Sequence, residues 1–233
     1  MIEALLLATA AGLTIPLGAG LALFDFTHPS WTKDSVRHGF LSFGAGALLA
    51  AVALVLLPES ERHAPAFVVL LGFIGGGVVF WLLDAALSKF GATGQLIAML
   101  LDYLPEAIAL GALMALGQTG YAIALMIALQ NLPEGFNAFH AMGGRNVHKD
   151  QRLLMVYAGF VLLGPLTAFV GVTFLSEMTV LLGVITSVAA GGIVYLVVQD
   201  VIPDAHMKNK SAPALGAVAG FALGLAGHLF LPA

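Results

Sequence analysis

The chain has 233 residues, 60% of them hydrophobic and 9% charged, with a formal net charge of −4. Soluble domains carry about 25% charged residues, so this composition excludes an ordinary soluble protein, and no nucleic-acid partner is expected. Cysteine is absent, which excludes disulfides, thiolate metal ligands and thiol catalysis.

A hydrocarbon core about 30 Å thick takes about 20 apolar residues per helix, so the chain has room for about eight spanning helices, short loops and no separate soluble domain. Apolar runs predict one all-α transmembrane domain over 1–233, with spans at about 2–24, 38–58, 66–87, 95–116, 119–141, 153–175, 180–203 and 213–231. Span 1 follows Met1-Ile2-Glu3 without a basic leader and reads as a retained helix. The segment from Ala45-Gly46 through Pro58-Glu59 in span 2 is echoed in span 7 by Ala190-Gly191 through Pro203-Asp204 with the same internal spacing. Chance is the competing explanation, because Ala, Gly, Val and Leu dominate every span. Span 3 ends near Asp84, which reads as a structural residue at the surface beside Lys89. Spans 4 and 5 carry the acidic motifs treated below. Gly72, Gly76, Gly191, Gly216 and Gly220 recur at spacings that let helices approach closely in lipid.

Of the nine Lys and Arg residues, all but Arg62 fall in odd-numbered loops or at their edges. The positive-inside bias places those loops in the cytoplasm and both termini outside, in a protein expected in a bacterial inner membrane. Span 2 then runs outward and span 7 inward. Spans 1–3 and 6–8 would form inverted repeats around a central spans 4–5 pair, the 3+2+3 plan of many transporters.

Span 4 reads Asp102-Tyr103-Leu104-Pro105-Glu106, and span 5 reads Gln130-Asn131-Leu132-Pro133-Glu134. Polar groups occupy the same offsets around an identical Leu-Pro-Glu. Asp102 and Glu106 are four residues apart, as are Gln130 and Glu134, so each pair shares a helix face and two facing helices can offer four oxygen ligands. Pro105 and Pro133 each free a carbonyl four residues earlier, at Leu101 and Leu129. A carboxylate at mid-membrane costs about 2.5–3.5 kcal/mol on insertion scales. No Lys or Arg lies within spans 4, 5 or 7 to offset that cost, so a cation or protons must.

A pathway toward the cytoplasm is expected through Asn137 and His140, on the Glu134 face at spacings of three, and through Gln199, Asp200, Asp204 and His206 of span 7. His28, His38, His63 and His228 sit at span edges without a partner at ligand spacing and read as interfacial. The chain has no His-Glu-x-x-His or Gly-x-Gly-Asp signature, so it is not expected to be an enzyme.

Together these motifs resemble the ZIP (Zrt/Irt-like) family of divalent metal transporters, especially its bacterial GufA-like branch. The resemblance covers nearly the whole chain: the Pro-Glu pair, Leu57-Pro58-Glu59 in span 2, and Ala189-Ala190-Gly191 through Ile202-Pro203-Asp204-Ala205-His206 in span 7. It implies Asp102, Glu106, Gln130 and Glu134 as primary metal ligands, with Asn131 at a neighbouring second metal position. The sequence departs from the family at Asp102-Tyr103, where His-Asn is usual, and at Asn131, where Asp is usual. It departs again at Gly164, where metal-paired relatives carry Glu before the proline, and at Gln199-Asp200, where His-Glu is usual. The oxygen-rich set is harder than a typical zinc site, so Mn²⁺, Fe²⁺, Co²⁺ and Cd²⁺ stand beside Zn²⁺ as cargo, and no resident cofactor is expected. A non-transporting metal sensor and a transporter of another cation remain alternatives, and the small-residue faces suit a homodimer.

Overall fold

The computed structural model describes residues 1–27, 34–117, 120–143, 147–205 and 211–231, and the described residues are almost entirely helical. The helices are α1 (Ile2–Thr27) and α2 (Asp34–Ala51), the latter continuing through a π-turn at Val52–Leu56 into Leu57–His63. Then come α3 (Ala66–Leu87), α4 (Ala92–Ala115) and α5 (Tyr121–Met142). Next, α6 comprises Val147–Phe160, Leu163–Val170 and a π-turn at Gly171–Leu175, and α7 comprises Thr179–Leu196, a π-turn at Val197–Val201 and Ile202–Ala205. The last is α8 (Ala212–Phe230).

Among the described residues, seven helices are long and apolar enough to cross a membrane, so this is an all-α polytopic membrane protein. The 22-residue α5 is not among the seven, although a rise of 1.5 Å per residue makes it about 33 Å long. Gln130, Asn131, Glu134, Asn137 and His140 depress its hydropathy. Its position answers that polarity, because α5 packs against α1, α2, α4 and α8 and is shielded on most sides. The breaks also have local causes. Pro165 has no N–H for the carbonyl of Val161, and α6 breaks at that turn, with Val161 and Leu162 bonding three residues back.

The repeat between α2 and α7 is a packing relation. Ala45, Leu48 and Val52 of α2 form one buried cluster with Ala190, Ile193 and Val197 of α7, their repeat counterparts. The two π-turns are also counterparts, each just before a proline (Pro58 and Pro203). In the largest contacts, α2 pairs with α8 and α7 with α3, while α1 pairs with α5 and α6 with α4. These are the pairings that a two-fold relation between spans 1–3 and 6–8 requires.

The glycines obey the same relation. A Cβ on Gly46 would meet the backbone of α8 at Ala217, and one on Gly191 would meet α3 at Phe73. Conversely, Gly220 admits the Phe43 carbonyl of α2, and Gly76 admits the Val188 carbonyl of α7. Small residues let backbones approach where lipid supplies no hydrophobic drive for helix association.

Candidate metal site

The two Leu-Pro-Glu turns bring Asp102, Glu106, Gln130 and Asn131 into the protein interior, where the first two are 2% exposed and the amides 0%. Both helices continue through their prolines. The Gln130 amide nitrogen donates to Glu106 Oε2, joining α5 to α4. Asn131 Nδ2 donates to the Ala11 carbonyl of α1 at 3.3 Å, and the buried Tyr103 hydroxyl donates to the Ala8 carbonyl, one turn away, also at 3.3 Å.

These bonds fix the direction of the amides. With each nitrogen engaged, the carbonyl oxygens of Gln130 and Asn131 are left without a donor, as are Asp102 Oδ1 and Glu134 Oε2. Buried polar atoms are almost always paired, and all four of these are acceptors, so the chemistry they call for is a cation or bound protons. The three carboxylates lie near enough to repel one another, which sharpens that requirement.

The two glutamates face different spaces. Asp102, Glu134 and Asn137 line a cavity of about 90 Å³, walled by Leu48, Met99 and Ile193. Through Ala98 and Leu196, which border both, this cavity adjoins a vestibule of about 460 Å³ that Asp84, Ser88, Gly91 and Gly94 line near the α3–α4 connection. Glu106 instead meets a gap of about 10 Å³, closed by Val55 and Leu56 of α2 and Ile123, Met126 and Ile127 of α5. Among the described residues, no three His, Asp or Glu side chains converge tightly enough to hold a metal in this conformation.

Asn137 lies on the cavity with Glu134, as its spacing predicts. His140 does not follow it. Its Nε2 stands 3.7 Å from Asp25 of α1, and its ring stacks on Phe136 at 5.8 Å. Two successive steps of three residues accumulate about 120° around a helix, which turns His140 off the cavity face. Gln199 is exposed in the α7 π-turn and does not line the cavity, whereas the nearby Leu196 and Val201 do. Asp200 and Asp204 fall on described helical backbone without described side chains, and His206 and His28 lie outside the described residues.

Two readings of the sequence are corrected. Asp84 is not a surface partner of Lys89: it lines the vestibule, with its Oδ2 accepting the Tyr195 hydroxyl at 2.9 Å. Its signal was being the sole acidic residue of an otherwise apolar span. His63 has a partner at ligand spacing, Glu59, at 3.6 Å, and Glu59 also binds Arg62. Asp25, buried near the end of α1, was not singled out from the sequence at all.

Comparison with known proteins bears on this arrangement. No family model matches the chain. Zinc transporter ZupT of Chlorobium phaeovibrioides is 27% identical over an alignment taking in 94% of this chain and 94% of the relative. Zinc transporter ZIPB of Bordetella bronchiseptica is 31% identical over 130 residues. With the paired motifs in place, those likenesses support membership of the ZIP (Zrt/Irt-like) family. A protein of Arabidopsis thaliana that also carries a zinc-transporter name is 25% identical over 86% of this chain. The chain spans about a third (34%) of that plant relative and 42% of the Bordetella one.

Proposed function

We propose that the protein carries divalent metal cations across the membrane through a site between α4 and α5, and that they leave toward the cytoplasm. The observation that carries this reading is the set of four buried acceptor oxygens without donors, on Asp102, Gln130, Asn131 and Glu134. Asp102, Glu134 and the Gln130 carbonyl bind the ion directly. Glu106 orients Gln130 and becomes a ligand when the amide turns away, completing the primary set. Asn131 is held to α1 and shapes the wall. The charge bias puts the α3–α4 connection in the cytoplasm, so the vestibule at Asp84 is the exit, and Val55, Leu56 and Met126 close the outer side. Asn137 lines the way out and α7 borders it through Leu196 and Val201, whereas His140 serves the α1–α5 contact.

The relatives' names make Zn²⁺ the first cargo to test, while the all-oxygen donor set keeps Mn²⁺, Fe²⁺, Co²⁺ and Cd²⁺ beside it. Alternation between the closed and open sides follows from the inverted repeat, whose counterpart π-turns border the two spaces. The test is flux into proteoliposomes holding a metal-responsive dye, for each of the five metals. Saturable uptake lost in Glu134→Ala supports the proposal, and no uptake of any metal by folded, inserted protein refutes it. A non-transporting sensor is the second reading. It is favoured by the amide bond that occupies Glu106, and binding without flux would identify it.

A further inference from the structure

Tyr103 stands one turn before Glu106 on α4, with its side chain wholly buried and interacting electrostatically with that glutamate. Its hydroxyl lies in a socket made by two other helices. A Cβ on Gly12 of α1 or on Gly164 of α6 would collide with the Tyr103 oxygen, so the phenol and both glycines are mutually fitted. The hydroxyl also donates to the Ala8 carbonyl, with its oxygen packed against Gly12 and Gly164. Asn131 reaches the same stretch of α1 through Ala11. Tyr103 and Asn131 therefore meet the same turn of α1, and the aromatic ring, held at its far end, reaches from α4 to α1 and α6. Glu106 and the Asn131 carbonyl are the acceptors that a second ion beside this ring would need.

We infer that Tyr103 is the specificity-determining residue that limits this site to one cation. The inference rests on the metal-binding reading above. The ion enters on the side that Asp102 and Glu134 share, and the phenol withholds the opposite side. Removing the ring leaves a cavity bordered by a carboxylate and an amide oxygen, polar and roomy enough for water or an ion, where an apolar lining would have stayed dry. Tyr103→Phe keeps the ring and loses only the bond to Ala8, so it separates filling from hydrogen bonding.

The experiment is metal stoichiometry on purified protein in detergent, by equilibrium dialysis against Zn²⁺ and Cd²⁺ with elemental analysis, counted per folded chain. The wild type and Tyr103→Phe should each lose one equivalent when Asp102→Asn and Glu134→Gln are introduced together, leaving no equivalent that depends on Glu106. Tyr103→Asn should gain one equivalent that Glu106→Gln then removes. Two intramembrane equivalents in the wild type, or no gain in a folded Tyr103→Asn protein, would overturn the inference. If Tyr103→Asn does not fold, the wild type decides alone: an equivalent that survives Asp102→Asn with Glu134→Gln and is lost on adding Glu106→Gln refutes it. Vesicle flux is scored separately, so one equivalent without transport would sink the transport reading and leave this one standing.

Discussion

The two Leu-Pro-Glu turns are nearly the same in sequence and opposite in situation. On α5, Glu134 opens onto the cavity beside Asp102 and Asn137, with one oxygen lacking a donor. On α4, Glu106 is bound by Gln130 and faces a gap sealed by aliphatic side chains. Identical local chemistry has produced one carboxylate that lines an internal cavity and one that is sealed off. What differs is the flanking helix: α2 brings Val55 and Leu56 over Glu106, while α7 leaves room over Glu134. A motif therefore supplies ligands, and the packing around it decides which of them an ion meets in a given conformation.

The comparison breaks most readily at Glu134. Glu134→Ala should reduce metal flux to the level of empty vesicles while membrane insertion and helicity by circular dichroism stay unchanged, because it deletes a charge that faces the ion. Glu106→Gln should cost less, about tenfold in uptake, equivalent to about 1.4 kcal/mol, since the amide can still meet Gln130. Losses of equal size would show that Glu106 binds the ion as fully as Glu134 does, without first being released by Gln130.

The seal itself can be loosened. Leu56→Ala should widen the gap beside Glu106 and raise the labelling of a cysteine placed at Ile123 by a membrane-impermeant thiol reagent from outside, with the unaltered Leu56 protein as reference. On the open side, Asp84→Asn should lower uptake about two- to threefold, well under one decade and so below about 1.4 kcal/mol, read as a raised KM with little change in maximal rate. Tyr195→Phe removes only the bond that orients Asp84. Interhelical bonds of this kind average about 0.6 kcal/mol in membrane proteins, so its effect on thermal unfolding should be the smallest of the set.

Much of this molecule was legible in the chain. The all-helical character, the Pro-Glu pair and the α2–α7 repeat follow from apolar run length, proline chemistry and spacing, because a long apolar segment in a bilayer can satisfy its backbone within itself as a helix. Asn137 followed from helical periodicity in the same way. His140 did not, since two steps of three residues carry a side chain onto another face, and only the position of α1 and Asp25 shows what it meets. Asp84 looked like a surface residue because its partner Tyr195 and the vestibule belong to helices remote in sequence.

Composition and periodicity alone determined that the chain is a polytopic helical membrane protein with Asp102, Glu106 and Glu134 gathered on two helices, because those properties depend on residues within a turn or two of one another. Tertiary structure alone decided which glutamate is covered, which amide oxygen is left over, and that Tyr103 fits between Gly12 and Gly164. Each of these depends on the distance between helices far apart in the chain, and that distance is set by where glycine lets two backbones meet.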